Sequence, residues 1–224
     1  MTIKAFATAL LSIFGLSSCN LTSDNSTDVK AKPTFVVHKE IFSLYRKTDS
    51  IVYIARALAI TPETFDLNLY TINISAPEAA KQTFVSTKHL RKQEASNLKT
   101  DLEAQYNWIP AKGNDVLFIQ IQPTGFKDEM QMLNKRQEIE DKLSEILENK
   151  NLGQWFASDL GPGGANILYS VTDIDESLQT VLGVLHDNNL EKQVVIGRRV
   201  LVSEGDWFYE VIYPIKYSGQ FNTM

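Results

Sequence analysis

The chain has 224 residues, 43% hydrophobic and 22% charged, a balance that supports one large or two small folded units and excludes a disordered or fibrous protein. The formal charge is −5, and lysines and arginines are scattered rather than gathered into the basic stripe that a phosphate backbone requires, so nucleic acid is not an expected partner. The single cysteine, Cys19, excludes an intrachain disulfide.

The chain begins with a targeting pattern. Lys4 supplies a short positive region, and Ala5 to Leu16 is an apolar run. That run is shorter than the roughly 20 residues a bilayer span needs, but suits a signal peptide. It is followed by Leu16-Ser17-Ser18-Cys19, which resembles the lipobox of bacterial lipoproteins. The resemblance implies a signal peptide over residues 1–18, cleavage before Cys19, and acylation of the only thiol in the chain. Each buried acyl methylene contributes about 0.8 kcal/mol, so a multiply acylated cysteine anchors stably. Asn20 in the next position resembles the outer-membrane-sorted class of Gram-negative lipoproteins, which implies a membrane partner through the lipid and a folded part facing the periplasm. Residues 19–32 are rich in Ser, Thr, Asn and Asp and have little apolar surface to offset ordering, so they read as a flexible tether.

Residues 33–112 read as a smaller α+β region. Thr34 to Val37 is a β-branched run, Glu40 to Arg46 reads as one or two helical turns, and Ile51 to Ile60 as a strand. From Phe65 to Ile74 the pattern has period two. Phe65, Leu67 and Leu69 share one face, while Asp66, Asn68 and Tyr70 share a face expected to be solvated. Gln82 to Ser86 reads as a short strand, and Lys88 to Tyr106 as a helix with Leu90, Leu98 and Leu102 on one stripe. The turn-forming Ala111-Lys112-Gly113-Asn114 marks the boundary.

Residues 113–224 have a clearer pattern. Val116 to Gln122 is a strand. Asp128 to Asn149 is a helix with Asp128 as N-cap and Ile139, Leu143, Ile146 and Leu147 on its buried stripe. Gly153 to Ser158 and Asn166 to Val171 form a hairpin around the glycine-rich loop Asp159-Leu160-Gly161-Pro162-Gly163-Gly164. Asp173 and Glu176 have capping-box spacing before a helix that buries Leu178, Val181, Leu182 and Leu185. Gln193 to Val202 and Trp207 to Ile212 are strands joined by a turn at Ser203 to Asp206, and Tyr213 to Met224 is a tail. The order β-α-β-β-α-β with one more strand predicts an α+β fold: a ferredoxin-like antiparallel sheet with both helices on one face.

Chemistry is sparsely marked. The glycines fall between two strands rather than at a helix N-terminus, so turn geometry explains them better than phosphate binding. His38, His89 and His186 are far apart and lack metal-ligand spacing, so neither a metal nor a cofactor is expected. No G-x-S-x-G occurs, and acylated Cys19 cannot serve as a nucleophile. The aromatic positions Trp155, Phe156, Trp207 and Tyr209, with Asp159 and with Arg198 and Arg199 at the margin, are the candidate partner-binding residues, provided the sheet face that carries them is left open. The competing arrangement is a first half that covers that face.

The loop G-Q-W-F-A-S-D-L-G-P-G-G-A-N and the following V-T-D-I-D helix start resemble small bacterial α+β domains of unassigned function, some of which are immunity proteins against secreted toxins. That resemblance implies a non-enzymatic module binding another protein, as an immunity factor or inhibitor. The rivals are an envelope hydrolase using Asp159 with Glu204 or Asp206, and a structural or assembly lipoprotein.

Overall fold

A computed structural model of the chain describes residues 38–75, 80–110, 116–161, 163–203 and 205–221, which belong to one compact unit. Cys19, Thr34 to Val37 and the 111–114 boundary lie outside the described residues.

The first sheet is a meander. Strands β1 (Glu40–Lys47), β2 (Ile51–Ala59), β3 (Thr64–Asn73) and β4 (Lys81–Arg91) pair antiparallel in sequence order. Helix α1 (Lys92–Tyr106) follows and packs on β3 and β4, burying Ala95 and Leu102. The short β5 (Ile109–Pro110) returns to the outer edge of β1. The second sheet begins with β6 (Val116–Ile121) and α2 (Glu129–Asn149). The hairpin β7 (Gly153–Gly161) and β8 (Gly164–Val171), α3 (Ile174–Asp187), β9 (Val194–Ser203) and β10 (Asp206–Tyr213) follow. Its strand order is β10-β9-β6-β8-β7, all antiparallel. The four strands β9-β6-β8-β7 have the ferredoxin-like order, and β10 extends the sheet beyond β9. The protein is therefore α+β, built on two antiparallel sheets.

Helices α2 and α3 cover one face of the second sheet. Ile139, Leu143 and Leu147 of α2 and Val181, Leu182 and Leu185 of α3 join Leu117, Ile119, Ile167 and Ile196 in one core. Both helix starts are capped as their sequences indicate: Gln131 N–H donates to Asp128 Oδ1 at 2.8 Å, and Glu176 N–H donates to Asp173 Oδ1 at 2.9 Å. The first sheet packs beside the helices, over β9 and β10. Tyr45, Val52, Ile54, Tyr70 and Ile72 meet Val200 and Phe208 in a second core, with the Tyr45 and Phe208 rings edge to face at 5.8 Å.

This arrangement corrects four local expectations. Glu40 to Arg46 is strand, not helix, because Leu44, Tyr45 and their neighbours pair with β2 and are buried. The second face of β3 is buried rather than solvated, since the sheet has α1 on one side and the second sheet on the other; Asn68 and Tyr70 are both buried. Asn68 is satisfied by the Thr87 hydroxyl, which donates at 2.6 Å. β4 runs on to Arg91, placing Leu90 opposite Phe65 in the sheet instead of on the helix. The C-terminal stretch is more than a tail: β11 (Gly219–Gln220) pairs with β4, and Phe221 is buried against Phe118 on the other face of the second sheet.

Candidate functional site

The alternation of the strands brings four charged side chains together between the sheets. Leu117, Arg198 and Glu210 lie opposite one another across β6, β9 and β10, so all three point to the helix-covered face. Arg56 reaches Glu210 from β2. Arg56 is 1% exposed, Glu210 1% and Arg198 2%, and Glu40 at the start of β1 closes the group. Arg198 Nε donates to Glu210 Oε2 at 2.8 Å and its Nη1 to Glu40 Oε1 at 3.1 Å. Arg56 Nη1 donates to Glu210 Oε1 at 3.2 Å and its Nη2 to the Tyr70 hydroxyl at 3.0 Å. The Tyr70 hydroxyl in turn donates to the Ile215 carbonyl at 2.5 Å.

Burial alone would lower the Arg198 pKa, but Glu210 and Glu40 outweigh it and hold the guanidinium above its ordinary value. Burial raises the Glu40 carboxyl against the opposing pull of Arg198. Beside the cluster is a cavity of ≈ 80 Å³ lined by Leu58, Ile174, Leu178 and Ile212 as well as the charged groups. Small-molecule sites span about 300–1,000 Å³, so this cavity has room for a few waters. Both carboxylates of the cluster are engaged by arginines, and neither is free to act as base or nucleophile. The group is a charged lock between two sheets.

The seam has a further seal at the outer edge of β10. The Gln82 side chain donates through Nε2 to the Val211 carbonyl at 3.1 Å and accepts from the Val211 N–H at 2.9 Å. One amide thus satisfies both of the backbone groups that Val211 would otherwise present at the edge. Beside it a hollow of ≈ 310 Å³ is lined mainly by Ile72, Ile74, Ala80, Trp207, Phe208 and Phe221.

The partner-binding candidates do not form one surface. Trp155, Phe156 and Asp159 are on β7, while Trp207 and Tyr209 are on β10, at the opposite edge of the sheet. Four strand spacings separate those edges, about 19 Å. Arg198 is inside the charge cluster, not at an exposed margin. Tyr209 packs against Phe118, with centroids 5.0 Å apart. The same separation removes Asp159 and Asp206 as a carboxylate pair, since even inverting glycosidases hold theirs within about 9.5 Å. Asp206 is instead paired with Lys47 at 2.5 Å, and Asp159 accepts from Asn166 Nδ2 at 2.6 Å. Glu204 lies outside the described residues. Among the described residues, no group of three or more His, Cys, Asp or Glu side chains converges as metal ligands.

Three of the aromatic candidates are exposed: Trp207 on β10, at 45%, and the two on β7. Trp155 is 48% and Phe156 56% exposed, and among the described residues β7 pairs with β8 alone. A bulge between Trp155 and Ala157 accommodates Phe156 as the extra residue. Arg56 and Glu40 are the residues that sequence reasoning missed. A charge inside the apolar run I-V-Y-I-A-R-A-L-A-I was the available signal, because arginine is rarely buried unless paired. Comparison with known proteins finds no matching family model, no similar curated protein and no similar solved structure.

Proposed function

We propose that this chain is a lipid-anchored protein of the bacterial cell envelope whose folded part binds another protein without catalysing a reaction, in the manner of an immunity factor or inhibitor. The anchor is Cys19, at the end of an apolar leader and before a polar tether; an outer-membrane position facing the periplasm follows from Asn20. The observation that carries the binding half of this reading is the pair Trp155 and Phe156, two large aromatics exposed side by side on an edge strand. Aromatic anchors of this kind contribute most of the energy in protein interfaces. No helix among the described residues is long and apolar enough to cross a membrane.

Two experiments test the two halves. Labelled palmitate should enter the wild-type chain and fractionate with membranes, and Cys19→Ser should abolish both; retention of label in Cys19→Ser overturns the anchor. In cross-linked capture from intact envelopes, Trp155→Ala with Phe156→Ala should reduce partner recovery at least tenfold. Equal recovery overturns the binding surface.

A further inference from the structure

Gln82 covers the outer backbone of Val211 on β10, whereas β7, at the other edge, has no neighbouring strand beyond β8 among the described residues. Its exposed stretch begins Gln154-Trp155-Phe156, and across nine residues it carries neither proline nor lysine, the residues that usually blunt such an edge. Its one charge, Asp159, is held by Asn166.

The ground beside that edge is acidic. On α2, Asp141, Glu145 and Glu148 are exposed, spaced i, i+4 and i+7, and have no ion-pair partner among the described residues. The helix's lysines point elsewhere: Lys135 and Lys142 both bind Glu138, and Lys142 also reaches Asn188 beyond α3. The acidic stripe adjoins β7 through Tyr169, the cross-strand neighbour of Trp155. The Tyr169 hydroxyl donates to the Glu140 carbonyl at 2.9 Å and lies 3.1 Å from Ser144 Oγ. Burial raises its pKa most, and Glu140, Asp141 and Glu148 push it further in the same direction.

We propose that the open edge of β7 receives an extended, lysine- or arginine-bearing segment of a partner protein, which adds as a sixth strand of the sheet. This rests on the protein-binding reading above and names its geometry and partner chemistry. A strand added at the usual spacing of about 4.8 Å would lie beneath the flank of α2. Its alternate side chains would then run along the Trp155 ring towards Asp141 and Glu148. Long cationic side chains fit that path: the stem covers the aromatic face and the head reaches the carboxylates.

The test uses the full chain in detergent micelles and two nine-residue peptides, one alternating Lys with Val and the other Glu with Val. The Lys/Val peptide should bind at least tenfold more tightly by fluorescence anisotropy and slow hydrogen exchange at the amides of Gln154 to Leu160. Asp141→Lys, Glu145→Lys and Glu148→Lys combined, on an exposed helix face where the fold tolerates change, should erase that preference. Equal binding of the two peptides overturns the proposal, as does binding that leaves the β7 amides unprotected. A β7-mediated dimer seen by sedimentation also overturns it, in favour of a second copy of the chain. If the peptides fail while partner capture still depends on Trp155 and Phe156, the strand and charge claims fall and the protein-binding reading stands. Loss of both removes both.

Discussion

Arg56 and Glu210, 154 residues apart in sequence, meet at 3.2 Å where neither reaches solvent. Arg56 belongs to the meander sheet and Glu210 to the ferredoxin-like sheet, so their ion pair joins the two halves. Arg198 makes it a three-membered group, and Glu40 balances the charge.

Because the pair is buried, removing one partner leaves an uncompensated charge in a medium that solvates it poorly. Arg56→Met should destabilise the protein by about 3–5 kcal/mol. Adding Glu210→Gln should cost less than the sum of the two single changes, since the second substitution removes the excess negative charge that the first left in the cluster. Urea denaturation of the two single variants and the double variant measures both quantities. A single-variant cost under about 1 kcal/mol would mean the lock contributes as little as a surface pair.

Asp175, in the first turn of α3, lies near the same cluster. Burial and then Asp173 raise its pKa above the ordinary 3.8. A folded-state pKa above the unfolded value means the folded form binds the proton more tightly. The stability from this group is therefore fully present below the unfolded pKa and is lost as pH rises through the folded one. Asp175→Asn removes that loss, so its melting temperature relative to wild type should rise between about pH 3.5 and pH 7. A relative melting temperature that falls over the same range would reverse the assignment.

Gly164 starts β8 with φ +127°, and a Cβ there would collide with the Ile121 carbonyl oxygen on β6. Neither backbone atom can move without breaking the β6–β8 ladder. Gly164→Ala should cost about 2–4 kcal/mol in urea denaturation. Gly161, in the same loop, has open space around its Cβ position. Gly161→Ala should therefore cost less than about 1 kcal/mol.

The ferredoxin-like half was legible because its signals are local. Asp128 and Asp173 sit where caps belong, and Leu178, Val181, Leu182 and Leu185 recur at helical spacing. The first half misled where tertiary packing overrode local pattern. The alternation of Asn68 and Tyr70 with Leu67 and Leu69 looks amphipathic, yet both faces are buried because a second sheet covers the polar one. Trp155 and Trp207 were read as one set because both lie on strands of one sheet, but strand order, which sequence spacing does not encode, puts them on opposite edges. Arg198 has the pattern of a surface cation, but it is buried with Glu210 of its own sheet and Glu40 from the other half of the chain.

The central claim is that a partner docks on β7 and not on the β10 edge. The direct measurement is photo-cross-linking in the intact envelope, with benzoylphenylalanine at position 156 or 207 of the otherwise unaltered chain. The account expects a discrete protein adduct from position 156, abolished by the Asp141, Glu145 and Glu148 reversals, and little or none from position 207. An adduct from 207 with none from 156 would contradict it.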